Sequence, residues 1–300
     1  MKIKIATRKS QLAQIQAEIV GKMLKEKLHM DYEKVLITTE GDRVLDVTVD
    51  KIGGKGLFVK DIETALLEGR AHMAVHSMKD VPHEMPEGFE IIAIPEREDA
   101  RDVLVSAGGL KLSELPHGAR IGSSSIRRAK QILLKRPDIE VVLVRGNVDT
   151  RIRKMEQKKL DGLVLAAAGL KRLKLENLIT EYFDPQDFVP AVGQGALGIE
   201  ILATSPYREY FRQLDSHDVR KCVEAERSFM RKLNGDCHKA VGAYAYIKGD
   251  RMYMTGLFEI NGRLIKKDIE GNKEDYPELG RMLAEAILEE NKGSIKRKQH

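Results

Sequence analysis

The chain has 300 residues, 42% hydrophobic and 32% charged, which is room for about two or three domains and too apolar for a disordered polypeptide. No apolar stretch reaches the roughly 18 residues of a membrane span, the charged start Met1-Lys2-Ile3-Lys4 lacks the form of a secretory signal, and two cysteines are too few for a disulfide framework or a four-thiolate zinc site. A net charge of +5 and 5% aromatic residues with no Trp give little to bind and stack nucleic-acid bases. The expectation is a cytoplasmic protein with no metal, membrane or nucleic-acid partner.

Lys2-Ile3-Lys4-Ile5 alternates as a strand. Ser10 is a candidate cap for a helix whose apolar residues recur at Leu12, Ile15, Ile19 and Met23. A strand over 34–38, a glycine-rich charged loop through Lys55-Gly56, a helix over 61–68, and strands over 74–76 and 90–94 complete a first block. The second block starts at Asp102-Val103-Leu104-Val105. Arg120-Ile121-Gly122 enters a serine-rich turn before a helix over 125–135, and Glu140 to Val144 reads as the strongest strand of the chain. A turn at Arg145-Gly146-Asn147 precedes a helix over 148–157; the apolar run 162–168 fits strand or helix. Two such blocks predict two α/β domains with mainly parallel sheets, and ligands at the carboxyl ends of the strands. The last block differs: a helix over 218–233, strands over 242–247, 251–258 and 263–269 with a hairpin at Asn261-Gly262, and a helix over 276–290. This is a small α+β domain.

Arginines stand where strands end or helices begin: Arg8, Arg127, Arg128, Arg145, Arg151 and Arg172. Each alone reads as a surface residue. Six at corresponding places, joined to helix N-termini, point to an anion with more than one acidic group. Gly53-Gly54-Lys55-Gly56 fails the Walker pattern because Gly56 follows the lysine, and it fits a lid with Phe58 as cover, or a plain surface loop. Asp80, at the end of Val75-His76-Ser77-Met78-Lys79, could stabilise a developing cation or move a proton, or form a buried structural pair with Lys79. His76 reads as a hydrogen-bonded core histidine. Cys237, beside Asp236, His238 and Lys239, has cationic neighbours that favour thiolate and suit a nucleophile or covalent attachment point, or it is an incidental loop thiol, whereas Cys222 on an amphipathic helix reads as packing.

Taken together these segments resemble the porphobilinogen deaminase (hydroxymethylbilane synthase) family over nearly the whole chain. The matching pieces fall in order: Thr7-Arg8-Lys9-Ser10-Gln11-Leu12-Ala13, Gly53 to Phe58, Val75 to Pro82, Gly122 to Arg128, Arg145 to Arg151, Ala168 to Arg172, Pro190 to Ala196 and Gly235-Asp236-Cys237. The resemblance implies an enzyme of tetrapyrrole biosynthesis. It would join four porphobilinogen molecules head to tail with loss of ammonia and release linear hydroxymethylbilane by hydrolysis. It would be primed by a dipyrromethane cofactor attached through a thioether to Cys237. Asp80 would be catalytic, near the pyrrole nitrogens, stabilising the azafulvenium cation formed as ammonia leaves. Lys79, Asp80, Ser125, Arg127, Arg128, Arg145 and Gly146 would hold the cofactor, with Arg8, Ser10, Phe58, Arg145, Arg151 and Arg172 around the substrate, and Lys55 and Phe58 in a lid. The implied fold is two α/β domains like those of periplasmic binding proteins plus the C-terminal α+β domain: residues 1–95 with 195–213, residues 98–190, and residues 217–300, in a monomer.

Glu40, Asp236 and His238-Lys239-Ala240 depart from the family pattern, bearing on loop shape rather than on the reaction. Three other readings compete. A solute-binding protein leaves Cys237 idle, an RNA-binding protein lacks aromatics, and a thiol hydrolase built from Cys237 and adjacent His238 lacks workable geometry.

Overall fold

The computed structural model describes residues 2–39, 59–234 and 239–296. In chain order the strands are β1 (Lys2–Arg8), β2 (Asp31–Ile37), β3 (Met73–Ser77), β4 (Phe89–Ala93), β5 (Asp102–Ser106), β6 (Arg120–Gly122), β7 (Glu140–Val142), β8 (Gly162–Ala166), β9 (Glu181–Tyr182), β10 (Leu197–Leu202), β11 (Val241–Lys248), β12 (Arg251–Ile260) and β13 (Arg263–Asn272). The helices are α1 (Gln11–Leu28), α2 (Lys60–Leu67), α3 (Ile126–Lys135), α4 (Val148–Gln157), α5 (Ala167–Arg172), α6 (Arg208–Arg212), α7 (His217–Lys232) and α8 (Tyr276–Lys296). They fall into two units: Met1–Glu98 with Ala168–Leu175 and Gly195–Arg220, and Asp99–Ala167 with Glu176–Gln194 and Lys221–His300.

The first unit is built on a sheet of order β2-β1-β3-β10-β4. β1 lies parallel to β2 and β3, while β10 enters antiparallel between β3 and β4. A strand from residues 197–202 therefore completes a sheet begun at residue 2. One face packs on α1. The helix buries Ala13, Gln16, Ala17, Val20, Gly21 and Leu24, one residue round from the expected stripe of Leu12, Ile15, Ile19 and Met23. Small side chains at the centre let the helix approach the sheet, and Ile19 and Met23 seal the margin of the core. On the other face Ile62, Ala65 and Leu66 of α2 pack with Ala6 and Ala74.

The second unit holds two sheets. One has the order β7-β6-β8-β5-β9, with β6 parallel to β7 and β8, and β5 antiparallel to β8 and β9. Both α/β sheets are thus evenly mixed rather than mainly parallel, because each accepts an antiparallel strand beside its parallel ones. The run expected as the strongest strand is only the three-residue β7. It lies at the sheet edge with a partner on one side, which leaves Leu143 exposed. The other sheet is the meander β11-β12-β13. Its second hairpin turns on Asn261 and Gly262, both at positive φ (51° and 78°), as the expected tight turn requires. The two α/β sheets and the C-terminal sheet and helices bear out the expected fold class. Among the described residues no helix is long and apolar enough to cross a membrane.

α7 and α8 cover the meander around Phe229, Leu283 and Ile287, all fully buried. The two helices touch at Gly280, where an added Cβ would lie 2.1 Å from the Ala225 carbonyl oxygen. Backbone cannot yield as a side-chain tip can. Gly280→Ala is therefore expected to lower stability by about 1–3 kcal/mol through overpacking. Urea unfolding followed by circular dichroism checks this; an unchanged midpoint contradicts the contact.

Candidate functional site

In the first unit, neighbouring parallel strands deliver two groups to one end of the sheet. β1 ends at Arg8, half-buried, and Ser10 caps α1 by accepting from Ala13 N at 3.4 Å. β3 ends at Ser77, whose hydroxyl accepts from Gln16 Nε2 at 2.9 Å and so ties the strand end to α1. A single 3-10 turn, Met78–Asp80, follows, with Met78 buried beneath it. Met78 N donates to Ala196 O at 3.0 Å, which anchors the start of the turn, and Val81 N donates to Met78 O at 3.2 Å, which closes the turn on itself. It presents Lys79 half-buried and Asp80 exposed, which replaces the alternative of a buried Lys79–Asp80 pair. Arg172, at the end of α5, donates from Nη2 to Gly195 O at 2.7 Å, one peptide from the Ala196 carbonyl that holds the turn. Burial pushes the Arg172 guanidinium down to about 10, against the opposing pull of Glu98. It stays cationic at neutral pH. Arg8, Ser10, Lys79, Asp80 and Arg172 thus belong to one unit. His76 is the hydrogen-bonded core histidine expected, with Nε2 2.8 Å from Glu200 Oε2.

In the second unit, β6 and β7 run parallel, and Ser123 N donates to Val142 O at 2.9 Å, which places their exit turns side by side. Each turn opens a helix. Ser125 Oγ caps α3 by accepting from Arg128 N at 3.4 Å, and Asn147 Oδ1 caps α4 by accepting from Thr150 N at 2.9 Å. Two helix N-termini therefore stand together, the backbone arrangement that favours carboxylates. Gly146 has φ +120°, and a Cβ there would come 2.7 Å from Thr150 Cγ2, so the turn needs glycine. Its carbonyl accepts from Arg151 Nε at 2.7 Å, and the Arg145 carbonyl accepts from Lys154 Nζ at 3.1 Å. Ser125, Arg145, Gly146 and Arg151 lie on these two adjoining turns and the helices they open.

Arg127 and Arg128 depart from the picture of arginines reaching outward for an acid. Their side chains are only 5% and 7% exposed and both turn to Asp102 at the start of β5, itself fully buried. Arg127 Nη1 donates to Asp102 Oδ2 at 2.6 Å and also to Val189 O. Arg128 donates to Asp102 Oδ1 from Nε at 2.9 Å and Nη2 at 2.7 Å. Gln194 Nε2 bonds the same oxygen at 2.9 Å and Ala100 O at 2.7 Å. Burial alone would raise the Asp102 carboxyl, but the two arginines hold it down to about 2. Two guanidiniums and one carboxylate leave one net positive charge at the head of α3. Glu226 of α7, equally buried, extends the framework by accepting from Gly193 N at 2.7 Å and Ala245 N at 2.9 Å.

Asp102, Gln194 and Glu226 were missed by sequence reasoning. The one available signal was a carboxylate heading the apolar run Val103-Leu104-Val105, next in line to arginines 25 and 26 residues away. Lys55, Phe58 and Cys237, with Glu40, Asp236 and His238, lie outside the described residues. A cavity of about 350 Å³ lined by Leu112, Arg136, Tyr182 and Phe188 sits at the C-terminal end of α3, the opposite end from Ser125.

The first unit thus presents an exposed carboxylate on a short turn, and the second presents paired helix N-termini over a buried arginine pair, in a protein of the α/β class. The chain belongs to the porphobilinogen deaminase family. Residues 3–207 match the family model "Porphobilinogen deaminase, dipyromethane cofactor binding domain" and residues 220–289 match "Porphobilinogen deaminase, C-terminal domain". Porphobilinogen deaminase of Clostridium beijerinckii is 61% identical over 96% of this chain and 99% of its own length. That of Clostridium perfringens is 60% identical over 97% of this chain and its whole length. Among solved structures, the methionine-binding protein MetQ aligns with 73% of this chain and 92% of its own at 14% identity and a TM-score of 0.46, too distant to carry an argument.

The Asp102 cluster makes the second unit acid-sensitive. The folded-state pKa lies below the ordinary 3.8, so the stability it brings is complete above that value and is lost as pH falls through about 2. Asp102→Asn should cost about 3–5 kcal/mol at neutral pH, by stranding two buried arginines, and should flatten the loss of stability between pH 4 and 2. Chemical unfolding across that range checks both. Equal slopes in the two proteins would contradict the assignment.

Proposed function

We propose that the chain joins four porphobilinogen molecules head to tail, expelling ammonia at each step, and hydrolyses off linear hydroxymethylbilane. The observation that carries this reading is Asp80: an exposed carboxylate on a hydrogen-bonded turn anchored to the Ala196 carbonyl, at the sheet end that also delivers Arg8. The family's dipyrromethane group carries several carboxylates and two pyrrole N–H donors. The residues present fit it: capped helix N-termini and arginines suit the carboxylates, and Asp80 accepts from N–H. Ser125, Arg145 and Gly146, with Lys79 and Asp80, would hold it, Arg127 and Arg128 would add the net positive charge of their buried pair with Asp102 from behind, and Cys237 would anchor it through a thioether. When bound, the group supplies the pyrrole carbon to which the first porphobilinogen is joined.

The rest is work for the protein's own groups. Arg8, Ser10, Arg145, Arg151 and Arg172 take the acetate and propionate of incoming porphobilinogen, and bidentate guanidinium–carboxylate pairing fixes its orientation. Lys55 and Phe58 serve as cover. As ammonia leaves, positive charge develops on the pyrrole, and Asp80 faces it from a position set before reaction. A unit charge at about 4 Å is worth on the order of 4 kcal/mol in a partly screened site, and it acts on a charge absent from the ground state. The same carboxylate accepts the α-proton released on coupling. Residues 1–95 with 195–213, 98–190 and 217–300 serve as three domains of a cytoplasmic monomer with no nucleic-acid or membrane partner.

Asp80→Asn should bind porphobilinogen yet lose about 100- to 1000-fold in kcat, with KM little changed. Steady-state assay of hydroxymethylbilane release tests this, and turnover within a few-fold of the parent would overturn the role.

A further inference from the structure

Two buried oxygens in the first unit have no hydrogen-bond partner among the described residues: Glu63 Oε1 and Glu200 Oε1. Glu200 is fully buried in β10, and its other oxygen meets His76 Nε2 at 2.8 Å. Register accounts for that meeting. Gly198 stands opposite His76 and Glu200 opposite Ala74, so the glutamate reaches the imidazole diagonally, across a position with no side chain. α2 covers this face, and Glu63 in its first turn brings a second carboxyl against the first.

Two carboxylates so placed repel, and each orphaned oxygen forgoes a hydrogen bond. One proton removes both faults, because a protonated Glu63 can donate to Glu200. A metal ion does not account for the cluster: among the described residues no three such ligands are arranged to hold one. The same face carries Arg8. Ala6 pairs with Ala74, and Arg8 and His76 each stand two residues further along parallel β1 and β3, so alternation puts both on the α2 side at the carboxyl end.

We propose that Glu63, Glu200 and His76 form a buried proton-sharing unit, in which neutral Glu63 donates to Glu200 and Glu200 fixes the His76 ring, and that this unit positions Arg8. The part concerning Arg8 rests on the function proposed above; the shared proton does not. The groups facing Glu63 are Glu200 from β10 and His76 from β3, with Arg8 on the same face of β1, while β2 presents the apolar Val35 and Ile37. Burial, then the Glu200 charge, push the Glu63 carboxyl from 4.5 up to about 7, with His76 opposing. The folded chain therefore keeps a proton that the unfolded chain releases. The stabilisation is complete below pH 4.5 and lost as pH rises through about 7.

Carboxyl carbon NMR of the full chain labelled with 13C-glutamate should show one side-chain carboxyl titrating near pH 7. It should vanish in Glu63→Gln and move to lower pH in Glu200→Gln, which removes the partner charge while burial, the larger cause, remains. The parent should lose thermal stability between pH 5 and 8 by a margin that Glu63→Gln, a permanent neutral donor, does not. If no glutamate titrates between about pH 6 and 8, the shared proton is overturned. KM for porphobilinogen should rise several-fold above pH 7 in the parent and stay level in Glu63→Gln. Identical KM profiles alongside a titrating Glu63 would overturn the positioning of Arg8, and leave the deaminase reading to stand or fall with Asp80→Asn.

Discussion

The Asp102 carboxylate, buried between Arg127 and Arg128, is the interaction on which the second unit is organised. It joins the start of β5 to the first turn of α3, and Gln194 brings the 190–194 segment to the same oxygen. A buried ion pair of this kind adds little net stability compared with an apolar replacement, but breaking it strands charge in the interior. Its value is therefore positional. It holds two guanidiniums at the head of a helix whose N-terminal dipole repels them, and leaves the pair one net positive charge. The head of α3 thereby carries a positive charge held in place by the fold.

The same economy appears in the first unit, where charged and polar groups are placed by backbone rather than by flexible side chains. The turn carrying Asp80 is anchored by a main-chain bond to Ala196, the residue before β10, and Arg172 is anchored on the adjacent peptide. This explains why a strand from residues 197–202 must return to a sheet begun at residue 2. Its approach supplies the Ala196 carbonyl that anchors the turn of Asp80 and, through Glu200, the carboxylate behind His76. Preorganisation of this kind suits a reaction whose demand is to meet a transient cation and several permanent anions without rearrangement.

Much of this was legible in the sequence because it depends on local pattern. Helix α4 over 148–157, the hairpin at Asn261-Gly262 and the cap at Ser10 follow from spacing and turn chemistry. The resemblance carried the family and the candidate site residues, since eight short segments in order identify a family where one would not. What was not legible depends on distant pairing. Asp102 meets arginines 25 and 26 residues on, and Glu200 meets His76 across 124, so neither carboxylate shows its purpose in its own neighbourhood. The α1 face was read one residue off for a related reason: large apolar residues draw the eye, but close packing on a sheet selects Ala13, Ala17 and Gly21 for the centre. β7 looked strong by composition and is short because its place at the sheet edge gives it one partner.

The claim that this chain is a self-priming deaminase is tested most directly by intact-protein mass, before and after Cys237→Ser. The account predicts an excess equal to two porphobilinogen units less two ammonia molecules in the parent, either as purified or after incubation with porphobilinogen, and its loss in the variant. A parent chain that keeps its bare mass after that incubation, or a variant that still gains the excess, would contradict it.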